Sequence, residues 1–304
     1  MRIDQGMPIS RILVPVDGSD VAARALDFAV ERAKLHGASL GIAFSVNRSS
    51  IAAVTANPYG YADPAPLLEA LEEEAGAVLR GAKAVAERAG VGSDCAKLDG
   101  VPSAAILAYA EQYQPDIIVM GTHGRAGLER FALGSTAEGV VRAARVPVFT
   151  IDRRTAAHPV TGNVKRALVA IDGSPASDLA FDFACAFARV EQTELELCGV
   201  VEPSGGRSND LDRAPFVGRE IEERVERLLD ERRVRAADAS ITARVSLLRG
   251  SAAGEILAKA ETGSAQCVFA GTHGRAGIPR FLLGSVAESL LRSSPVPVCT
   301  VRHR

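Results

Sequence analysis

Short apolar segments alternate with longer amphipathic segments along the whole chain. Four segments of strand length in the first half are rich in apolar residues, namely residues 11–16, 40–46, 116–120 and 147–151, and residues 94–98 form a weaker fifth. Five matching segments follow in the second half: residues 166–171, 195–201, 241–248, 266–270 and 297–301. Their lengths and composition predict strands.

Between the predicted strands, apolar residues recur at helical spacing. The predicted helices of the first half are residues 21–35, 67–85, 102–112 and 135–144, and those of the second half are 176–190, 219–236, 251–260 and 285–291. Regular alternation of strands and helices predicts an α/β fold, with parallel sheets, right-handed crossovers and helices on both faces.

The chain repeats itself. Residues 121–135 (GTHGRAGLERFALGS) and 271–285 (GTHGRAGIPRFLLGS) are identical at twelve of fifteen positions, and Asp17-Gly18-Ser19 recurs as Asp172-Gly173-Ser174. A polar segment with Pro and Gly lies between the copies, so we predict two copies of one domain, at residues 1–155 and 156–304. The first copy is longer by about five residues, which we assign to a loop within residues 47–66.

Composition excludes several classes of protein. The net charge of −2 over 304 residues lacks the basic excess of a nucleic-acid-binding domain. No apolar segment approaches the roughly 18 residues of a membrane span. The five cysteines are an odd set without a C-x-x-C pair, which is typical of small core residues in a reducing compartment, and we expect a cytoplasmic protein.

The repeated glycines are the main candidate site. Each copy has G-x2-G-x9-G-S between a predicted strand and a predicted helix. Glycine permits positive φ and close backbone approach, and a helix N-terminus attracts anions, so the pattern predicts a phosphate site. Ser135 and Ser285 would add hydroxyl donors. Alternatively, they cap their helices, because Glu138 and Glu288 complete a capping box in each copy.

The glycine spacing, together with the early Asp-Gly-Ser, resembles the universal stress protein family, once in each half. The resemblance implies two tandem open sheets of five parallel strands ordered 3-2-1-4-5, each binding ATP, with or without Mg²⁺. It places Asp17 and Asp172 at the base–ribose end. The implied nucleotide-binding residues are Pro15, Val16, Asp17, Val46, Met120, Gly121, Gly124, Gly134, Ser135 and Thr136, and in the second half Ala170, Ile171, Asp172, Val201, Ala270, Gly271, Gly274, Gly284, Ser285 and Val286.

Small differences separate the two predicted sites. Thr136 offers a hydroxyl where Val286 has none, which favours the first site slightly. His123 and His273 recur in the glycine loops, but no carboxylate is fixed beside either one in the sequence, so a general base is the weaker interpretation. Four loop arginines could neutralise phosphate or remain solvated: Arg125, Arg130, Arg275 and Arg280.

The resemblance implies a regulatory nucleotide-binding protein of the stress response that acts on a protein partner the sequence does not identify. It also implies that the last strands, residues 146–151 and 296–301, pair to form an intramolecular pseudo-dimer; the sequence leaves a homodimer of such chains open. The alternatives are a slow ATPase or nucleotide hydrolase, and an interaction module with vestigial sites. No Lys follows the last glycine of either loop, which argues against P-loop chemistry.

Overall fold

The computed structural model describes residues 9–48, 56–57, 60–61, 63–124, 133–157, 162–202, 214–274 and 283–303. The chain divides into two compact units. The N-terminal unit comprises Ile9–Arg153 and the C-terminal unit contains Arg154–Arg304. The pairing of the two halves stays a prediction.

The N-terminal unit alternates strands and helices. Its strands are β1 (Arg11–Pro15), β2 (Ser39–Val46), β3 (Ala56–Asn57), β4 (Gly60–Tyr61), β5 (Ser93–Asp99), β6 (Ile117–Gly121) and β7 (Val148–Ile151). Its helices are α1 (Asp20–His36), α2 (Ala65–Arg88), α3 (Pro102–Tyr113) and α4 (Ser135–Ala143). Five strands are parallel in the order β5-β2-β1-β6-β7, which confirms the predicted 3-2-1-4-5.

The C-terminal unit repeats this arrangement after a 3-10 turn (Arg154–Ala157). Its strands are β8 (Arg166–Ala170), β9 (Glu194–Val201), β10 (Ala243–Arg249), β11 (Cys267–Gly271) and β12 (Val298–Val301). Its helices are α5 (Pro175–Glu191), α6 (Ala214–Asp238), α7 (Ala252–Thr262) and α8 (Ser285–Ser293). The parallel order is β10-β9-β8-β11-β12, again 3-2-1-4-5. The α/β prediction, with helices on both sheet faces, is confirmed.

The central strands are buried on both faces, which explains their unbroken apolar sequences. Ile12, Leu13 and Val14 of β1 are all fully buried. In the C-terminal unit, the ring of Phe269 on β11 contacts two aromatic rings of α5, Phe183 at 6.1 Å and Phe187 at 5.4 Å between centroids. The cores therefore hold the inner strands rigidly and leave their carboxyl ends to carry loops.

The predicted loop at residues 47–66 lies partly outside the described residues. Its described part contains the antiparallel pair β3–β4, and α2 begins at Ala65. Gly37 ends α1 with φ of 68°, a left-handed conformation that glycine adopts without strain. None of the described helices is long and apolar enough to cross a membrane.

Candidate functional site

The strand order reverses at one place in each unit. β1 lies between β2 and β6, and β8 lies between β9 and β11. Crossovers leave the two inner strands toward opposite sides at such a point, so a crevice opens beyond their carboxyl ends. The Asp-Gly-Ser turn follows the first inner strand and the glycine loop follows the second, so the fold brings both predicted motifs to this crevice.

The Asp-Gly-Ser turns are built by local hydrogen bonds. Gly18 has φ of 80°, a left-handed conformation that glycine adopts without strain. Ser19 caps α1 by accepting from the Ala22 N–H at 3.2 Å. Its own N–H and hydroxyl donate to Asp17 Oδ1 at 2.9 and 2.6 Å. The turn thus fixes the Asp17 carboxylate through one of its two oxygens.

The equivalent turn in the C-terminal unit uses its serine differently. The Ser174 N–H donates to Asp172 Oδ1 at 2.8 Å, as in the first unit. The Ser174 hydroxyl instead donates to the carbonyl oxygen of His273 at 3.1 Å, in the glycine loop. Asp172 therefore has one donor from its turn, where Asp17 has two.

The middle glycine of each loop lies against the carboxylate of the turn. A Cβ placed on Gly124 would lie 2.6 Å from Asp17 Oδ2, and one on Gly274 would lie 3.0 Å from Asp172 Oδ2. Both distances are shorter than an ordinary van der Waals contact. Glycine at these positions allows the two motifs to meet, and the second carboxylate oxygen faces the loop.

Neighbouring atoms also exclude a side chain at the first and last glycines of each loop. A Cβ on Gly121 would lie 2.9 Å from Val21 Cγ1, and one on Gly271 would lie 2.7 Å from the Ala176 carbonyl carbon. For Gly134 the obstacle is the Thr122 carbonyl oxygen at 2.7 Å, and Gly284 meets the equivalent oxygen at 3.2 Å. Glycine permits positive φ, but the described glycines of these loops do not adopt it. Tight packing, rather than left-handed backbone, excludes a side chain.

The helix that follows each loop begins without a side-chain cap. Gly134 is the N-cap of α4 and Gly284 that of α8, and neither cap has a side-chain hydrogen bond. Ser135 and Ser285 are the first helical residues and are exposed. The capping-box interpretation is therefore wrong, because each serine lies one position too late to cap. The N-terminal N–H groups of α4 and α8 have no side-chain acceptor at the cap.

In the C-terminal unit the two motifs line one cavity of about 190 Å³. Nine of the ten residues predicted for this half line it: Ala170, Ile171, Asp172, Ala270, Gly271, Gly274, Gly284, Ser285 and Val286. The exception is Val201, which does not line the cavity, whereas its neighbour Val200 does. Asp172 and the exposed Ser285 therefore line the same cavity.

Further cavity-lining residues were missed from the sequence: Ser177, Cys198, Val200, Ala252, Ile256, Thr272, His273 and Ala287. Ala252 and Ile256 begin α7 after the edge strand β10. Their place at the cavity follows from their position in the sequence, because every helix that follows a parallel strand starts at the same edge of the sheet. An open groove of about 740 Å³ lies elsewhere in this unit and is lined by none of the predicted residues.

The predicted apolar residues of the N-terminal unit lie at the carboxyl ends of β1, β2 and β6. Val16, Val46 and Met120 are all buried. Pro15 ends β1 and Thr136 is half-buried at the start of α4. The four loop arginines, Arg125, Arg130, Arg275 and Arg280, lie outside the described residues.

The N-terminal unit also contains a polar cluster that sequence reasoning missed. The Thr122 hydroxyl lies 2.8 Å from His123 Nδ1 and donates to Asp152 Oδ2 at 2.9 Å. His123 Nδ1 itself lies 3.4 Å from Asp152 Oδ2. Asp152 follows β7, and the register of β6 with β7 pairs Gly121 with Ile151, so the next residues along meet.

The thiol at the cavity is not a nucleophile. Burial raises the pKa of Cys198 to about 12, so its thiol stays protonated at neutral pH. Burial raises the pKa of Cys185 to about 12 as well.

Among the described residues, no cluster of His, Cys, Asp and Glu could hold a metal ion.

Comparison with known proteins agrees with this architecture. The model of the universal stress protein family matches residues 8–152 and again residues 163–302. A universal stress protein of Mycolicibacterium smegmatis is 32% identical over 305 residues, which cover 96% of this chain and 97% of that protein. One of Methanocaldococcus jannaschii is 36% identical over 143 residues, covering 47% of this chain and 82% of its own length.

The fold similarity extends over nearly the whole chain. The crystal structure of a universal stress protein from Archaeoglobus fulgidus matches with a TM-score of 0.69 at 26% identity, covering 96% of this chain and 98% of that one. Both halves match the same family model, in agreement with the repeated sequence. The chain therefore belongs to the universal stress protein family, with one family domain in each half.

Proposed function

We propose that each half binds one adenine nucleotide, ATP in the first instance, in the crevice at its strand-order reversal. The observation that carries the proposal is the cavity of the C-terminal unit, which is bordered at once by the Asp172 carboxylate and by Ser285 at the start of α8. A nucleotide needs both chemistries, because its ribose and base donate hydrogen bonds and its phosphates accept them.

The phosphate end is supported by the uncapped helices. The N-caps of α4 and α8 are glycines, so the first N–H groups of these helices and the hydroxyls of Ser135 and Ser285 are available to an anion. The positive end of each helix dipole adds to this attraction. Mg²⁺, if bound, would arrive with the triphosphate, because the described residues offer no cluster of metal ligands.

The base end is supported by apolar residues that line the cavity. Ala170, Ile171 and Ala270 line the cavity beside Asp172. An apolar wall with one carboxylate suits a flat heterocycle joined to a sugar. In the N-terminal unit, Val16, Val46 and Met120 occupy the equivalent strand ends.

The biological role that we propose is regulatory. A nucleotide at about 100 times its dissociation constant stabilises the bound state by about 2.7 kcal/mol. That free energy is enough to order a loop and to alter a surface that a protein partner contacts. We place this role in the cytoplasm, on the basis of the five unpaired cysteines.

The direct test is to identify what the purified protein carries. The protein is denatured, the released small molecules are chromatographed, and the emptied protein is titrated calorimetrically with ATP and Mg²⁺. We expect adenine nucleotide in the released fraction and two binding events per chain. No released nucleotide together with no heat of binding would refute the proposal.

The regulatory role has a separate test. Hydrogen exchange of the intact chain, with and without ATP-Mg²⁺, should show slower exchange in the first turns of α4 and α8. The C-terminal ends of the same helices, around Ala143 and Ser293, serve as internal references. Binding without any change in exchange would leave nucleotide binding intact and contradict the regulatory mechanism.

A further inference from the structure

The Thr122–His123–Asp152 cluster is part of the candidate phosphate site. The Gly134 N–H donates to the Thr122 carbonyl oxygen at 2.9 Å. A Cβ on Gly134 would lie 3.5 Å from the Cα of His123. His123 is therefore packed against the residue that caps α4, where the phosphates of a nucleotide would bind.

The cluster fixes the protonation pattern of the imidazole. The Thr122 hydroxyl donates its single hydrogen to Asp152 Oδ2, so its oxygen is left to accept from His123 Nδ1. The Asp152 carboxylate, 3.4 Å from Nδ1, also requires a hydrogen there. In neutral His123 the proton is then on Nδ1, and Nε2 carries a basic lone pair. A buried carboxylate orients a catalytic histidine in this way in hydrolases.

The C-terminal unit has the same Thr-His pair without the carboxylate. Thr272 Oγ1 lies 2.9 Å from His273 Nδ1, and the position equivalent to Asp152 is Arg302. Within the described part of the chain, no carboxylate contacts Thr272 or His273. Without such a carboxylate among the described residues, the proton is not held on Nδ1, and the Thr272 hydroxyl can donate to that nitrogen.

The C-terminal unit also shows where this imidazole lies. His273 lines the 190 Å³ cavity, and its Nε2 is buried without a hydrogen-bond partner among the described residues. The repeat places His123 at the matching position of the first site. An imidazole at this position can therefore reach a molecule bound in the crevice.

We propose that the N-terminal site hydrolyses its nucleotide, with His123 as the proton acceptor and Asp152 as a positioning residue, and that the C-terminal site only binds. This inference rests on the proposed nucleotide binding. His123 Nε2 takes a proton from water as the water oxygen bonds to the terminal phosphorus of ATP-Mg²⁺. The bond from that phosphorus to the bridging oxygen breaks, and its electron pair stays on ADP. Inorganic phosphate leaves, and the imidazolium returns its proton to solvent.

The first test separates turnover from binding in the intact chain. Phosphate release is measured at saturating ATP-Mg²⁺, and ATP affinity is measured by calorimetry. Asp152→Asn keeps the side-chain shape and removes the charge, so we expect kcat to fall about 10- to 100-fold while Kd changes less than about 3-fold. His123→Gln should lower kcat at least as far. Unchanged kcat in either variant overturns the inference.

The second test moves the carboxylate to the other unit. In the Asp152→Asn background, Arg302→Asp should restore phosphate release, whereas Arg302→Asn, which removes the same cation, should not. The comparison of these two variants shows whether Asp152 positions a histidine or has a structural role. A carboxylate added to the C-terminal unit can position His273, but it cannot repair a structural defect in the N-terminal unit. Restoration by both variants, or by neither when ATP still binds, overturns the assignment.

Failure of this inference differs from failure of the proposed function. A chain that binds two nucleotides and releases no phosphate refutes hydrolysis and leaves binding in place. A chain that binds none refutes both.

Discussion

Substitution of Gly124 by alanine is the sharpest probe of the contact between the two motifs. The added Cβ would lie 2.6 Å from Asp17 Oδ2, so the carboxylate must move. Two donors of the turn oppose that movement, the N–H of Ser19 at 2.9 Å and its hydroxyl at 2.6 Å. Hydrogen bonds to a charged group contribute about 1.5–3 kcal/mol each. If the moved carboxylate loses one of these hydrogen bonds, or a hydrogen bond of the same kind to a nucleotide, we expect binding at the N-terminal site to weaken about 10-fold or more.

The matched substitution in the other unit should be milder. A Cβ on Gly274 would lie 3.0 Å from Asp172 Oδ2, and the carboxylate is held by one donor, the Ser174 N–H. A shift of a few tenths of an ångström relieves this contact. We therefore expect Gly274→Ala to weaken its own site by about 3-fold or less, on the order of 0.6 kcal/mol.

Calorimetric titration of each variant with ATP-Mg²⁺ measures both sites of the intact chain. Gly81→Ala in α2 is the control, because a Cβ there meets nothing within 4 Å. It should leave both affinities unchanged and raise the free energy of unfolding by up to about 1 kcal/mol. The steric reasoning is refuted if Gly124→Ala binds as the natural chain does, or if Gly274→Ala is the more damaging of the two.

Three further predictions concern stability and thiol reactivity. Ser174→Ala removes the N-cap of α5 and should lower the free energy of unfolding in urea by about 1 kcal/mol; no change would mean that the cap bond is not made in solution. Phe269→Ala empties a fully buried ring position and should cost about 3–5 kcal/mol by the same measurement, and a loss below 1 kcal/mol would contradict the described packing. A thiol reagent at pH 8 should modify exposed Cys95 in the folded chain and leave Cys198 unmodified until denaturant is added, because burial raises the pKa of Cys198 to about 12; rapid labelling of Cys198 would contradict its burial.

Two polar residues that precede equivalent strands of the two units, Asp116 and Gln266, make similar hydrogen bonds. Asp116 precedes β6, and its Oδ2 accepts from the N–H groups of Ser10 and Arg11 at 2.7 and 2.9 Å. Gln266 replaces it in the repeat, and its Oε1 accepts from the Lys165 N–H at 2.6 Å. Both side chains offer one oxygen at the same place, so the substitution keeps the contact.

The errors arose where a sequence pattern fits two geometries. A serine followed three residues later by glutamate fits a capping box, but Gly134 has φ of −62° and ψ of 139° and is itself the cap. The glycines of the loop could serve either a positive φ or a close approach, and neighbours such as Asp17 and Thr122, which leave no room for a side chain, show that the close approach applies. One-dimensional patterns do not show which neighbour will occupy the space beside a residue.

The contact between His123 and Asp152 does not follow from any local sequence pattern. Twenty-nine positions separate the two residues, so no local motif joins them. They meet because β6 and β7 are adjacent, with Gly121 opposite Ile151. The strand order 3-2-1-4-5 already implies that the fourth and fifth strands end side by side. Comparing the residues that follow those two strands would have found the pair.

The glycine caps of α4 and α8 give the protein an indirect benefit. A serine or aspartate there would satisfy the first N–H groups with its own oxygen, as Ser19 does for α1. Glycine costs only a few tenths of a kcal/mol relative to such a residue. Each of these two helices is left incomplete at one end, and a bound anion would supply the missing acceptor. The ligand would then act as part of the secondary structure, so the fraying of one helical turn reports whether each half is occupied.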